Sequence, residues 1–203
     1  LGRCSGILPK DQIIPGEKLE MGSSVKVYVS KLEIGPKGPF IMLSRSHYGF
    51  VKRLLEIEIP ELSDGTIMLY SVARDAGSRS KIAVYTEYTN VDPIGAVIGE
   101  KGRRIANVLK ELSGEKIDVI LYDKDPVKFI ANALSPAKDV KVSIKDETKK
   151  EALALVNDKN LSLAIGKKGQ NVKLASRLTH YKIEVKPEEQ ENTETTEETS
   201  VEE

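Results

Sequence analysis

Tryptophan is absent, cysteine occurs once, histidine twice, and aromatic residues make up 5% of the chain. Cys4 alone excludes an internal disulfide, and with only His47 and His180 beside it no ordinary zinc cluster can form. The expectation is a reducing, cytoplasmic setting with neither metal nor cofactor. No apolar run approaches the roughly 18 residues of a membrane helix. The start carries no basic segment followed by an apolar stretch, so neither a span nor a signal peptide is read. The chain opens on Leu1 rather than methionine and reads as if it begins inside a structural unit.

Net charge is also missing, but only as a balance of opposites. Residues 187–203 hold eight acids and no base, which leaves the preceding 186 residues with 31 bases against 23 acids, a net +8. So acidic a tail has almost nothing apolar to bury and is expected to be disordered. It is either a solvated terminus or a screen for the basic body.

Within 203 residues there is room for two or three small domains. Residues 1–45 read as β-rich: Val25, Val27 and Val29 alternate with polar neighbours, and Phe40 to Leu43 follow the turn Gly35-Pro36-Lys37-Gly38. About three strands are visible, which fits a partial OB-like barrel. A helix from Ser46 to Ile57 leads to alternating strands at Thr66–Ala73 and Lys81–Tyr85, and residues 93–122 add a helix, a glycine turn, a second helix and a strand. From Pro126 the same α-β-β-α-α-β order returns, with Asn160 expected to cap the helix at Leu161. That order is the one of a type II KH domain. The expected fold is therefore α+β: a partial OB-fold over 1–45, KH units over 46–123 and 126–186, and an acidic tail over 187–203. With about three residues between them, the two KH units are expected to pack as one surface.

The repeat is sharpest at Ile98-Gly99-Glu100-Lys101-Gly102 and Ile165-Gly166-Lys167-Lys168-Gly169, 67 residues apart. A Gly-x-x-Gly turn without Cβ atoms lets backbone approach a sugar-phosphate chain. Opening onto a helix, it is expected to offer free N–H groups and the positive end of the helix dipole. The Gly35–Gly38 copy, with Pro36 and Pro39 and no helix after it, reads as a plain strand turn. After Gly102, Ile105, Val108, Leu109 and Leu112 follow helical spacing; after Gly169, Val172, Ala175 and Leu178 do. Lys116-Ile117-Asp118-Val119 and Lys182-Ile183-Glu184-Val185 then close each copy as strands.

These glycine turns, with Gly6-Ile7-Leu8-Pro9, Leu43-Ser44-Arg45, Phe129 to Ala137 and Leu161 to Val172, closely resemble the NusA family of bacterial transcription elongation and termination factors. The resemblance covers residues 1 to about 186. It implies an S1-type OB domain and two KH domains that bind single-stranded nascent RNA and modulate RNA polymerase pausing, termination and antitermination. Antitermination and ribosomal proteins are further implied partners, and a monomer is expected. Weakened attachment to polymerase is the expectation for this sequence, which carries no match to the family's N-terminal polymerase-binding domain or first barrel strands.

A KH domain grips about four nucleotides, its glycine loop on the backbone and an apolar groove under the bases. On that pattern Gly99, Glu100, Lys101 and Gly102 form one clamp and Gly166, Lys167, Lys168 and Gly169 the other. Lys101 and Lys168 supply phosphate charge. Ile98 and Ile165 either floor the groove or belong to the core. Gln170 and Asn171 either read base edges or cap the helix. Arg103 and Arg104, in a first helical turn where the dipole disfavours cations, read as ligand residues. Arg45 and, more weakly, Lys26 are candidates in the OB part, against a solvated-surface reading. With so few aromatics, base stacking is a secondary contribution.

An enzyme is not expected. A Walker loop needs Gly-x-x-x-x-Gly-Lys and then Ser or Thr, whereas Gln170-Asn171 follows Gly169. The alternative is a protein-interaction scaffold with degenerate KH units. Gly99→Asp with Gly166→Asp is the expected discriminator, removing RNA binding while sparing the fold.

Overall fold

The computed structural model describes residues 4–35 and 38–188. At its start β1 (Gly6–Ile7) runs parallel to β3 (Gly38–Ser44), and β2 (Tyr28–Gly35) pairs antiparallel with β3. Pairing ends where Tyr28 meets Ser44, so Val25 and Val27 have no partner and lie outside the strand they were expected to join. Pro36 and Lys37 of the hairpin turn, and most of the acidic tail, lie outside the described residues.

Helix α1 (Tyr48–Glu58) starts two residues later than its pattern suggests, because the His47 side chain caps it by accepting the Gly49 N–H at 3.0 Å. A short helix, α2 (Pro60–Ser63), follows, with proline at the first helical position. Strands β4 (Met68–Asp75) and β5 (Arg79–Tyr85) pair antiparallel. Next come α3 (Pro93–Ile98), a single turn of 3₁₀ helix, α4 (Arg103–Lys110) and β6 (Lys116–Leu121), which lies parallel to β5. The second unit repeats the order with α5 (Pro126–Ala133), β7 (Lys141–Asp146), β8 (Glu151–Val156), α6 (Asp158–Ile165), α7 (Gln170–Thr179) and β9 (Lys182–Pro187). Its sheet again has one antiparallel and one parallel pair about a central strand. The cap of α6 is Asn157, which accepts the Asn160 N–H at 2.9 Å; Asn160, expected to be the cap, is already helical.

Residues Ser80 to Val84 of β5 are all buried, which a strand achieves only when both faces are covered. Ile82 and Val84 pack with Phe50, Leu54, Val97, Val108 and Leu112 of the first unit's own helices. The intervening residue Ala83, with Ala73 and Ile120, joins Phe129, Ile130, Leu134, Leu174 and Leu178 of the second unit in another core. Helix α7 thus packs on β4 and β5 of the preceding unit. The small side chains of Ala73 and Ala83 leave room for its leucines. Burying Leu174 and Leu178 contributes about 2 kcal/mol each relative to exposure. The two units share one apolar core, so their mutual position is as fixed as either interior.

Candidate nucleic-acid interface

Each glycine turn is built by the same dihedrals. Gly99 and Gly166 end their helices at φ/ψ of 74/171° and 73/172°; Lys101 and Lys168 follow at 52/27° and 55/27°; Gly102 and Gly169 close the turns at 74/15° and 74/16°. Left-handed lysines cost about 1–2 kcal/mol each, and the same strain recurs at the same place in both copies. It lifts both lysines into solvent, where, among the described residues, Lys101, Arg103, Lys167 and Lys168 make no ion pair. Glu100 is also exposed.

The two glycines of each turn differ in purpose. A Cβ on Gly99 would lie 2.6 Å from Arg104 Cγ, and one on Gly166 would lie 2.7 Å from Asn171 Cβ and 2.8 Å from its backbone N. A Cβ on Gly102 would meet nothing within 4 Å, and one on Gly169 only Lys173 Cε at 3.8 Å. The first glycine is required by packing and the second faces open space where a ligand backbone can approach. This moves the test: Gly99→Asp and Gly166→Asp would damage the fold, whereas Gly102 and Gly169 occupy the left-handed region that aspartate tolerates.

The expected free amides are partly used inside the turns. Gly102 and Gly169 donate to the Gly99 and Gly166 carbonyls at 3.0 and 3.1 Å, and Arg103 and Gln170 donate to the Glu100 and Lys167 carbonyls. The ammonium groups and the positive helix ends remain as the attractive charge.

Several candidate residues have structural partners instead. Arg45 is 3% exposed, and its guanidinium donates to Glu17 at 2.5 and 2.8 Å, to the Lys26 carbonyl and to the Glu111 carbonyl at 3.0 Å. It locks the N-terminal sheet to the first repeat unit and is withdrawn from any ligand. Arg74 does the same beside it, pairing with buried Glu115 at 2.9 Å and donating to the Arg45 and His47 carbonyls. Both guanidiniums lie over the Phe50 ring, at 4.9 and 5.8 Å. Asn171 is 5% exposed, with its amide donating to the Leu134, Leu163 and Ala164 carbonyls, so base reading is closed to it. Arg104 occupies the equivalent place in the first copy. It donates to the Ala96 carbonyl and to both oxygens of Glu61, whose carboxyl is held below the usual range by its own backbone N–H and by this guanidinium. Gln170 donates across the seam to Asp75 and Ser78, at 2.6 and 2.7 Å.

Ile98 is 37% exposed and Ile165 half-buried, so both reach the surface beside their turns. Below α3 an open cavity of about 600 Å³ is lined by Ile94, Val119 and Leu121 of the first unit and by Asn132, Ser135 and Lys138 of the second. Its far wall is held by fully buried Lys81, whose ammonium donates to the Ser135 carbonyl at 2.8 Å and to Asp118 at 3.1 Å. Burial pushes the Lys81 ammonium below the ordinary lysine range against the pull of Asp118. Burial alone would push the Asp118 carboxyl up, but Arg79 and Lys81 hold it below the usual carboxylate range. Sequence reasoning missed this wall, since a lysine inside an apolar strand carries no signal of which domain will cover it.

Among the described residues no group of three His, Cys, Asp or Glu side chains is placed to hold a metal, and no helix is long and apolar enough to cross a membrane.

Comparison with known proteins agrees with this geometry. Residues 45–122 match the NusA-like first KH domain and residues 126–193 the NusA-like second KH domain. Proteins named transcription termination/antitermination protein NusA are similar over most of the chain. The one from Halalkalibacterium halodurans is 50% identical over 188 residues, 93% of this chain and 49% of that protein. The one from Bacillus subtilis is 49% identical over 188 residues, covering 93% and 50%. The one from Mycobacterium tuberculosis is 49% identical over 181 residues, covering 89% and 52%. The chain spans about half the length of these curated relatives. Two adjoining domain matches that together take in most of its residues place it: the chain belongs to the family of NusA-like tandem KH proteins.

Proposed function

We propose that this chain is the RNA-binding body of a transcription elongation factor, gripping single-stranded nascent RNA with both glycine turns at once and thereby modulating pausing, termination and antitermination by RNA polymerase. The observation that carries the reading is the pair of turns with matching dihedrals, each with a lysine forced outward that makes no ion pair among the described residues and a second glycine facing open space. Clamps held by a shared core meet a strand with their spacing already set, so the second contact adds affinity without a further ordering cost. Ile98 and Ile165 sit where bases would rest, and the 600 Å³ cavity beside α3 offers an apolar floor. On this reading residues 1–45 act as an S1-type module, 46–123 and 126–186 as the KH pair, and Lys101, Arg103, Lys167 and Lys168 as phosphate contacts. Work as a monomer in the cytoplasm, polymerase attachment, and contacts with antitermination or ribosomal proteins belong to the same proposal, drawn from the relatives' names and the resemblance.

The test is Gly102→Asp with Gly169→Asp, titrated against an unstructured oligoribonucleotide. Each carboxylate enters a backbone-sized gap without a packing clash, so binding should fall more than a hundredfold while the urea midpoint moves by less than about 1 M. Unchanged RNA affinity would favour a protein scaffold instead.

A further inference from the structure

The turn joining β4 to β5 in the first unit, the glycine turn of the second and the exposed side of α7 enclose a notch of about 480 Å³. Its walls carry Lys167, Lys168, Lys173 and Arg177 against the single carboxylate of Asp75. That carboxylate is already engaged by Gln170, which also holds Ser78. All four cations are exposed and, among the described residues, none makes an ion pair.

The internal repeat serves as a control. Sixty-seven positions earlier the same places hold Glu100, Lys101, Ala106 and Lys110, and the Lys110 ammonium is turned onto Asn107. Around the turn itself Gln170 replaces Arg103, so the excess of positive charge in the copy whose helix faces the other unit lies further along the helix, where Lys173 stands in place of Ala106. Lys167 and Lys168 sit at the helix start, which disfavours cations, and with Lys173 and Arg177 they outnumber the one carboxylate, so the notch attracts a further anion. Lys173 and Arg177 stand one turn apart on one face, a rise of about 6 Å, comparable to the separation of neighbouring phosphates on an extended strand.

Resting on the RNA-binding reading above, we propose that this notch is a phosphate subsite that carries the strand from the second glycine turn across the seam between the units. Lys173 and Arg177 contact phosphate oxygens. Gln170, pinned on Asp75 and Ser78, forms the wall and reads no base. The binding chemistry is that of a phosphodiester or a free phosphate, and the two sources separate experimentally.

Lys173→Gln with Arg177→Gln, made in the full chain, is compared with wild type by fluorescence anisotropy on an unstructured oligoribonucleotide of about ten nucleotides over a salt series. Two lost contacts should lower the log–log salt slope by about 1.4, at about 0.7 per phosphate. Affinity should weaken about tenfold whatever the base sequence, with thermal unfolding unchanged. If wild type binds and the variant matches it in slope and affinity, the notch is not on the strand's path and the proposal fails while the clamp reading stands. If wild type itself does not bind RNA, the clamp reading fails with it. A parallel NMR titration with inorganic phosphate covers the other source. Saturable shifts at Lys173 and Arg177 that the oligonucleotide does not displace would assign the notch to a free anion and overturn the strand path.

Discussion

Replacing Gly166 by alanine probes the turn architecture most sharply, because it separates a packing glycine from a ligand-facing one. At φ/ψ of 73/172° Gly166 lies in a region that only glycine occupies readily, a strain of about 1–3 kcal/mol for any other residue. The added Cβ would lie 2.7 Å from Asn171 Cβ and 2.8 Å from its backbone N. Asn171 cannot retreat without releasing the three carbonyls its amide holds. Such overpacking costs about 1–3 kcal/mol more, offset by about 0.4–1 kcal/mol through the stiffer unfolded chain. A net loss near 3 kcal/mol is expected. At Gly169 the Cβ meets only Lys173 Cε at 3.8 Å, so the left-handed penalty of about 1–2 kcal/mol acts alone and the same offset leaves about 1 kcal/mol. With a urea slope of about 2 kcal/mol/M, the midpoint should drop by about 1.5 M for Gly166→Ala and about 0.5 M for Gly169→Ala. Equal shifts, or a larger one at Gly169, would refute the assignment of separate duties to the two glycines.

Arg45→Leu strands the Glu17 carboxylate in a site where its side chain is 8% exposed. It should lower stability by about 3–5 kcal/mol, while RNA affinity, measured where the fold persists, stays within about twofold; a selective loss of binding would return Arg45 to the interface. Burial raises and ion pairing lowers the Glu17 and Asp118 carboxyls, with a net shift downward for both. A depressed native value means that the stability they contribute is complete above the unfolded value near pH 4 and is lost as pH falls through the native one. Urea midpoints against pH should therefore drop more steeply on the acid side in wild type than in Asp118→Asn, and parallel acid limbs would contradict the pairing with Arg79 and Lys81.

Periodicity made the six-element order of both units legible, because each helix and strand carries one buried face: Val108 and Leu112 in α4 and its extension, Leu174 and Leu178 in α7. The glycine turns were legible because their spacing repeats. Partners distant in sequence were not. Arg45 reads as a surface cation until Glu17, 28 residues away, and Glu111, 66 residues away, are brought around it. Asn171 looks like a polar residue opening a helix, yet Gly166 has no Cβ and admits it to the interior. The shared core between the units was foreshadowed only by a short linker, since Ala73 and Ala83 give no hint in sequence that a neighbouring domain's helix lies over them. Lys173 and Arg177 did carry a signal: together with Gln170 they fall on one face of α7.

One strand spanning two rigidly spaced clamps is the claim on which the rest depends. Ultraviolet crosslinking of a single oligoribonucleotide of about ten nucleotides to the wild-type chain, with the adducts mapped by mass spectrometry, addresses it most directly. One RNA molecule should yield adducts within residues 98–103 and within 165–173. Adducts confined to a single turn, or lying on the N-terminal sheet alone, would contradict it.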